Sequence, residues 1–362
     1  MRLGALAFFG IPLLGMAYVM WHVWCILPTS VWVKILSMVG MIGLFMLLFV
    51  GIGRSLDTLS MSLATVIYEV STSWLIILLY LFLVFLLLDI GRLFHIVPKQ
   101  WLFGSWKGLL GIVAFLSVVL LYGNIRYRHK VRQPLSLHTE KTLRKPVRLL
   151  LMSDLHLGYH NQRQEFHRWV EMINKENPDL ILIAGDIIDR SLRPLQEQRM
   201  WEEFRRLKAP VIASLGNHEY YSGEQGSEEF YQKAGIRLLR DASMEWGDLV
   251  IVGRDDRTNP HRQSVNKLMA KVDTTKYVIL LDHQPYHLEL AECAGVDFQF
   301  SGHTHYGQVW PISWITDAVY EDAYGPYQRG NTRYYVSSGI GIWGGKFRIG
   351  TRSEYIVMEL SE

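Results

Sequence analysis

Aspartate, asparagine and histidine recur in five short blocks of the sequence, and these side chains could bind metal ions. The blocks are DLH at 154–156, GDIID at 185–189, GNHE at 216–219, a lone His283, and GHTH at 302–305. None of them contains cysteine, so the available donors are carboxylate oxygens, an amide oxygen and imidazole nitrogens. Such donors suit manganese, iron, zinc or magnesium better than metals that prefer sulfur.

The blocks together offer enough donors for two metal ions. A pair of metals that shares one bridging carboxylate uses roughly seven protein ligands and keeps positions open for water and substrate. Such a pair can clamp the attacking and the leaving oxygens of a phosphate group. The sequence therefore predicts two divalent ions, manganese being the first expectation, and hydrolysis at phosphorus. The candidate ligands are Asp154, His156, Asp186, Asn217, His283, His303 and His305.

Short apolar runs that precede these blocks predict the strands that position them. The predicted strands cover 147–152, 180–184, 211–214, 250–253, 277–281 and 298–300, and alternating segments at 333–337 and 355–360 predict two more. Helical patterning covers 162–174 and 197–207. Ligand sites in α/β sheets gather at the carboxyl ends of strands, which is where the polar blocks lie.

The order of the five blocks resembles that of the calcineurin-like metallophosphoesterase superfamily, and the resemblance covers residues 148–360. The C-terminal stretch YVSSGIGIWGGKFRIGTRSEYIVMEL is similar to the bacterial membrane-associated branch, although Ser353-Glu354 stands where a Pro-Glu pair is usual. The resemblance implies an α/β domain built as a β-sandwich flanked by helices, with its site on the loops at one end.

The same resemblance implies how the ligands divide between the metals. It implies three residues for the first metal, three for the second, and one bridging carboxylate: Asp154, His156 and His305; Asn217, His283 and His303; and Asp186. It also implies that His218 stabilises charge on the phosphate or protonates the leaving oxygen, and that Asp189 orients His218. Two alternatives stay open: His287 could serve in place of His283, and the Asp255-Asp256-Arg257 turn could line the substrate cleft.

The first third of the chain predicts a membrane domain. Residues 1–123 hold only nine of the 71 charged side chains, a composition that excludes a wholly soluble protein. Four apolar segments at 3–27, 31–53, 72–88 and 108–122 predict four membrane-spanning helices, for which about 20 apolar residues are needed. The predicted organisation is a transmembrane domain at 1–123, a basic juxtamembrane linker at 124–147, and a metallophosphoesterase domain at 148–362.

Aromatic and basic residues predict how these spans meet the membrane surface. Tryptophans gather near the ends of the predicted spans, as in an interfacial aromatic belt: Trp21, Trp24, Trp32, Trp101 and Trp106. Residues 124–148 carry eight basic side chains and one acidic one. Flanking basic residues tend to stay cytoplasmic, so we expect a multi-pass protein of the inner membrane whose catalytic domain is cytoplasmic.

Charge also limits the partners of the predicted catalytic domain. Residues 149–362 have a net charge of −7, which disfavours non-specific binding of nucleic acid. A catalytic domain held at the bilayer can meet a substrate confined to that surface. We therefore expect membrane lipids as partners and a phosphorylated lipid or lipid-linked pyrophosphate as substrate. The alternatives are a tethered phosphodiesterase for a soluble nucleotide messenger and a non-catalytic membrane scaffold.

Overall fold

The fold was determined from a computed structural model of the chain. It describes the backbone of residues 2–362 and the side chains of residues 12–53 and 55–362. The chain divides into two compact units, one made of residues 1–125 with 344–346 and the other of residues 126–343 with 347–362. This boundary lies close to the change in composition at residue 123.

The first unit is helical. Its helices are α1 (Arg2–Ile26), α2 (Val31–Gly51), α3 (Met61–Leu93) and α4 (Trp106–Arg128). Helices α2, α3 and α4 are long and apolar enough to cross a membrane. The segment expected as the first span coincides with α1. Its fully described part, Pro12–Ile26, is shorter than a span, and the side chains of residues 3–11 lie outside the described part of the chain.

The ends of these helices carry the tryptophans that the sequence placed at a membrane surface. Trp21 and Trp24 lie in the last turns of α1, Trp32 at the start of α2, and Trp106 at the start of α4. All four are exposed, as the aromatic-belt interpretation requires. A polar contact also joins α1 to α3, where His22 Nε2 lies 3.0 Å from Asp89 Oδ2.

The second unit is an α/β domain. Its strands are β1 (Lys130–His138), β2 (Val147–Met152), β3 (Leu180–Ala184), β4 (Val211–Ser214), β5 (Arg237–Leu238), β6 (Ala242–Trp246), β7 (Leu249–Gly253), β8 (Tyr277–Leu281), β9 (Phe298–Ser301), β10 (Gly325–Arg329), β11 (Thr332–Val336) and β12 (Ser353–Ser361). Its helices are α5 (Arg163–Lys175), α6 (Arg193–Glu197), α7 (Trp201–Phe204), α8 (Asn217–Ser222), α9 (Glu224–Ala234), α10 (Val265–Met269), α11 (Glu289–Cys293) and α12 (Ile312–Val319).

The strands form two six-stranded mixed sheets packed face to face. Their orders are β1-β12-β2-β3-β4-β5 and β10-β11-β9-β8-β7-β6. Alternate residues of β2 point to opposite faces: Leu149 and Leu151 join the core between the sheets, while Leu150 and Met152 join the core beneath helices such as α5. Helices α10 and α11 cover the outer face of the other sheet. The predicted β-sandwich flanked by helices is confirmed.

Six of the predicted strands match observed strands to within one residue, and the two C-terminal ones to within two. The expected helix at 197–207 is instead two short helices, α6 and α7, joined by residues with no helical run. The segment predicted as a linker also differs, because residues 130–138 form strand β1, which pairs in parallel with β12. Pro134 is accommodated because β1 is the edge strand of its sheet, where a missing N–H costs little.

Candidate metal centre

The candidate ligands come from loops at one end of the sandwich. Strands β2, β3 and β4 are parallel neighbours in the first sheet, and β7, β8 and β9 are parallel neighbours in the second. Polar blocks follow the carboxyl ends of β2, β3, β4, β8 and β9, so both sheets deliver ligands to the same edge. Three overlapping groups of donors result, each with its ligand atoms within 4.8 Å of one another. Two of them are the expected ligand sets, and the third joins His156 to Asp189 and His218.

The first set consists of Asp154, His156 and His305. The Nε2 atoms of His156 and His305 lie 3.0 Å apart, and Oδ1 of Asp154 lies 3.8 Å and 3.5 Å from them. Asp154 and His156 are completely buried. Three donors that converge on one point in the dry interior form a suitable cage for a divalent ion.

The second set consists of Asp186, His283 and His303, with Asn217 beside them. His283 Nε2 lies 3.1 Å from Asp186 Oδ2, and His303 Nδ1 lies 2.8 Å from Asn217 Oδ1. Asp186 also approaches the first set, because its Oδ2 is 3.7 Å from His156 Nε2. This carboxylate therefore lies where a ligand shared by two metals is needed.

Buried ring nitrogens without hydrogen-bond partners bear on whether these residues bind metal. Among the described residues, His283 Nε2 and His305 Nδ1 are buried without a hydrogen-bond partner, which is costly unless another species satisfies them. His283 Nε2 is close to Asp186 but is not aligned for a hydrogen bond. Nε2 of His283 faces Asp186 and suits a divalent ion, whereas His305 faces the first set through Nε2 and its unpartnered Nδ1 lies on the other side of the ring. The donor chemistry of the two sets suits divalent ions as well.

Backbone strain is concentrated on the same residues. Asp154, His156, Asp186, His303 and His305 all have positive φ, between 44° and 72°. Side chains other than glycine adopt this region at a cost, and such conformations persist where a function depends on them. The left-handed conformation turns each side chain back from the end of its strand toward the centre of the site.

Glycines in the blocks allow the loops to approach one another. A Cβ at Gly302 would lie 2.3 Å from Asp154 Oδ2, and one at Gly216 would lie 2.2 Å from Asp186 Oδ1. Any side chain at either position would displace a candidate ligand. The glycines of GHTH and GNHE are therefore spatial requirements of the site.

Burial and charge set the protonation of the ligands. Burial raises the pKa of Asp154, but the imidazoles of His305, His156 and His283 outweigh it and hold this pKa well below its usual range. Burial lowers the pKa of His303 to about 4 and that of His305 to about 3. These two imidazoles are neutral at physiological pH, the form in which imidazole binds metal.

His156 and His283 behave differently because carboxylates face them. Burial lowers the pKa of His156, but the nearby carboxylates of Asp154 and Asp189 raise it to about 10. The pKa of His283 is likewise raised well above its usual value by the charge of Asp186, despite burial. A divalent ion bound at either ring takes the place of that proton.

The structure changes the expected role of Asp189. Its Oδ1 lies 3.2 Å from His156 Nδ1 but 3.6 Å from His218 Nδ1, which is too far for a hydrogen bond. His218 Nδ1 instead pairs with the main-chain carbonyl oxygen of Asp189. The loop therefore orients both rings, and its carboxylate acts on the candidate ligand His156 rather than on His218.

His218 stands at the rim of the site. Its backbone N–H donates to Asp186 Oδ1 at 2.9 Å, and its ring lies edge-on to that of His156, with centroids 4.5 Å apart. Burial lowers the pKa of His218. His218 thus contacts Asp186 through its backbone and His156 through its ring, and it shares a third group of possible metal donors with His156 and Asp189.

The structure also shows where the residues of the two open alternatives lie, namely His287 and the Asp255-Asp256-Arg257 turn. His283 is fully buried against Asp186, whereas the side chain of His287 is 59% exposed beside Glu289 and lies outside both sets. Asp255 and Asp256 are buried in hydrogen-bond networks. Only Arg257 of that turn is exposed, and its guanidinium lies 4.2 Å from the centroid of the Tyr286 ring.

Two supporting residues were not singled out from the sequence. Glu219 accepts hydrogen bonds from the N–H groups of Gly216, Asp186 and Ile188, and burial together with Asp186 raises its pKa to about 7. Glu219 stands in the GNHE block, which was the available signal.

Arg348 had no comparable signal in the sequence. Its guanidinium is fully buried and donates to the carbonyl oxygens of His305, Ser338 and Gly341. It fixes the loop of a candidate ligand to the C-terminal segment.

Comparisons with known proteins agree with this geometry. A family model described as calcineurin-like phosphoesterase matches residues 147–307. A metallophosphoesterase of Campylobacter jejuni is 30% identical over 253 residues, which are 68% of this chain and 67% of that protein. One from Aquifex aeolicus is 30% identical over 258 residues, 68% of this chain and 98% of that protein.

Other relatives combine the domain with membrane segments or are longer. A transmembrane protein with a metallophosphoesterase domain from Danio rerio is 31% identical over 230 residues, 58% of this chain and 52% of that protein. A metallophosphoesterase of Helicobacter pylori is 30% identical over 224 residues, and the match spans 60% of its length.

Proposed function

The chain belongs to the calcineurin-like metallophosphoesterase family, and from that premise we propose that it hydrolyses a phosphoester or pyrophosphate bond of a lipid or lipid-linked substrate. It is a membrane-associated, metal-dependent phosphoesterase. The substrate class, the position at the cytoplasmic surface of the inner membrane and manganese as the resident metal are parts of the proposal.

The convergence of two ligand sets on Asp186 carries the catalytic part of the proposal. One carboxylate lies 3.1 Å from His283 Nε2 and 3.7 Å from His156 Nε2, so it connects the two cages. Two divalent ions bound there would supply Lewis-acid stabilisation of a phosphoryl group and an activated water. A scaffold that had lost catalysis would have no reason to retain strained ligands around unpartnered buried nitrogens.

The chain's own residues supply orientation and proton transfer. His156 is held by Asp189, and its Nε2 is thereby turned toward Asp154 and Asp186. The Nδ1–H of His218 donates to the Asp189 carbonyl oxygen, which leaves Nε2 as the position that exchanges a proton with the leaving oxygen. The lowered pKa of His218 makes its cationic form a ready proton donor.

Membrane attachment supports a substrate confined to the bilayer surface. Helices α2, α3 and α4 are candidate spans, and His129 alone separates the end of α4 from the start of β1. The catalytic unit is thus joined to an apolar helix by one residue, with Arg126 and Arg128 in the last turn of that helix. Basic residues at this position attract anionic headgroups and favour a cytoplasmic location.

The experiment compares the full-length protein with its Asp186→Asn variant in detergent with Mn²⁺. Both are incubated with a total bacterial lipid extract, and the products are followed by mass spectrometry. Bis(p-nitrophenyl) phosphate serves as a parallel substrate that reports whether the metal site is active. We expect one lipid class to decrease with the wild type only, and Asp186→Asn to lose metal and activity together.

The same experiment tests the messenger alternative. Hydrolysis of the generic diester while every lipid survives would overturn the lipid proposal and favour a soluble nucleotide. A metal-loaded wild type that cleaves neither lipid nor diester would favour the scaffold.

A further inference from the structure

Helix α12 carries an apolar surface on its outer side. Across residues 126–362, all of which the structure describes, six large apolar side chains are exposed, and four of them lie within ten residues of one another. They are Trp310, Trp314, Ile315 and Val319, which are 40%, 64%, 58% and 56% exposed. We refer to these four side chains as the α12 ridge.

Helix α12 exposes the apolar face that an ordinary surface helix buries. At 100° per residue, Trp314, Ile315, Ala318 and Val319 occupy an arc of roughly 140°, and all are exposed. Ser313 lies on roughly the opposite side and is the one buried residue of the helix. The apolar face therefore points to solvent, and the helix contacts the domain on the side of Ser313, while Asp317 is exposed.

Helix α9 of the same unit shows the usual arrangement. Its Phe230, Tyr231 and Ala234 are buried in the core, while Gln232 and Lys233 are exposed. A contiguous exposed apolar face marks a site of interaction with another apolar surface. Single exposed apolar residues are normal on protein surfaces, but the ridge groups four of them together, unlike the outer side of α9.

The ridge is fastened to the metal centre. The helical turn His305–Gly307 begins at a candidate ligand and leads into α12, and a Cβ at Gly307 would lie 2.5 Å from the Ile312 backbone. Tyr306 Oη lies 3.3 Å from Asp317 Oδ2. At the other end of α12, the ring centroid of Tyr320 is 6.4 Å from that of His303. These contacts connect α12 to the segments that carry His303 and His305, so the ridge has a defined position relative to both ligand sets.

We propose that the α12 ridge inserts into the headgroup–acyl boundary of the membrane that anchors this chain, and so presents the metal centre to lipid. The inference rests on the proposed function at the membrane but not on the identity of the substrate. The chain supplies the partner through its apolar helices, three of which are long and apolar enough to cross a membrane, and α4 leads directly through His129 into β1 of the catalytic unit.

The composition of the ridge fits an interfacial helix. Tryptophan is enriched where protein meets the membrane–water boundary, and Trp310 and Trp314 pack edge to face with centroids 5.3 Å apart. Helices of this kind lie in the membrane plane with their apolar face about 5–10 Å deep. Helix α12 has no basic residue and carries Asp317, so we expect apolar insertion that does not depend on anionic lipid or salt.

The test measures depth with a fluorophore on the full chain. Both cysteines are replaced by Cys25→Ser and Cys293→Ser, and Val319→Cys is labelled with a small environment-sensitive fluorophore. The protein is reconstituted in nanodiscs of phosphatidylcholine, with or without phosphatidylglycerol, containing doxyl-labelled lipid. Gln232→Cys on α9 is the matched control. We expect strong quenching at 319, equal in both lipid mixtures, and little at 232.

Quenching at 319 no greater than at 232 would overturn the inference, as would energy transfer between labelled copies showing that a second chain covers the ridge. A kinetic comparison follows with the triple variant Trp314→Ser, Ile315→Ser, Val319→Ser. It should hydrolyse bis(p-nitrophenyl) phosphate normally and lose about tenfold or more activity on the lipid class found with the wild type. Quenching at 319 without any lipid hydrolysis would support the docking surface while overturning the proposed lipid substrate.

Discussion

Asp189 contacts His156 through its carboxylate, with Oδ1 3.2 Å from Nδ1 of the ring. A metal-binding histidine commonly donates its other N–H to a carboxylate in this way, which fixes the tautomer and makes the ring a better ligand. The same residue holds His218 through its carbonyl oxygen. One turn of the GDIID block thus orients both a candidate ligand and the candidate proton donor.

Replacing the carboxylate alone should therefore affect metal binding before it affects His218. We expect Asp189→Asn to weaken metal binding by about 10- to 100-fold, because a neutral amide replaces the carboxylate that orients and polarises His156, while the main-chain carbonyl remains. Isothermal titration of the metal-depleted full-length protein with Mn²⁺ measures this. Asp248→Asn, which removes an exposed carboxylate paired with Arg144, is the control. Unchanged affinity in Asp189→Asn would contradict the assignment of this carboxylate.

Metal binding should release protons in a defined number. His156, with a pKa of about 10, and His283, whose pKa is also raised, each hold a proton near neutral pH, whereas burial keeps His303 and His305 neutral. Loading both metals should then release about two protons, one per metal, and each affinity should rise about tenfold per pH unit from pH 6 to pH 8.

Calorimetry in buffers of different ionisation enthalpy counts these protons. Asp189→Asn should lower the number, because it removes one of the negative charges that raise the pKa of His156. A pH-independent affinity would show that neither ring is protonated before the metal binds.

His218→Ala should separate metal binding from catalysis. His218 belongs to neither of the two expected ligand sets, although it groups with His156 and Asp189, so we expect the variant to keep its metals and to lose about 10²-fold or more in rate. The loss should be larger for an alkyl phosphodiester than for bis(p-nitrophenyl) phosphate, since a poor leaving group depends more on protonation. Metal analysis and rates on the two substrates check this. Full activity on the alkyl diester would remove His218 from the proposed role.

Arg348 should be a determinant of stability. Its removal leaves the carbonyl oxygens of Ser338 and Gly341 without a donor, at about 1–3 kcal/mol each, while the carbonyl of His305 keeps the N–H of Gln308. Arg348→Met should therefore lower the free energy of unfolding by about 2 kcal/mol or more. Thermal unfolding in detergent, with Arg333→Met at an exposed position of β11 as the control, measures the difference. Equal melting temperatures for the two variants would contradict this role.

The side of the membrane on which the catalytic unit lies can be tested without purifying the protein. The basic residues after α4, Arg126, Arg128, Lys130 and Arg132, predict that the catalytic unit stays in the cytoplasm. A reporter fused after Glu362 should be active only in its cytoplasmic form. Activity of a periplasmic reporter at this position would reverse the orientation and place the phosphoesterase on the other surface.

The sequence by itself determined the ligand types and the strands that hold them. Buried parallel strands are continuous apolar runs, so 147–152, 180–184 and 277–281 could be read from composition alone. The polar block after each run identified its chemistry, and the low charge of residues 1–123 identified the membrane region. These features are local, and a linear pattern carries them.

Contacts between distant segments were decided only by the tertiary structure. Nothing near Arg348 in the sequence indicates that it fastens the loop of His305, and no spacing rule connects Asp189 to His156 rather than to His218. Strand β1 was predicted as a linker because an edge strand with alternating exposure and a proline lacks a continuous apolar signal.

The outward apolar face of α12 also combines a pattern visible in the sequence with a contact that only the folded structure shows. The periodicity of Trp314, Ile315 and Val319 shows that these residues share a face, but an amphipathic pattern does not state which face is buried. The burial of Ser313 shows which side of α12 contacts the domain and leaves the apolar face exposed. The sequence thus determined the chemistry of the centre and of the ridge, while folding alone decided which groups meet and which remain exposed.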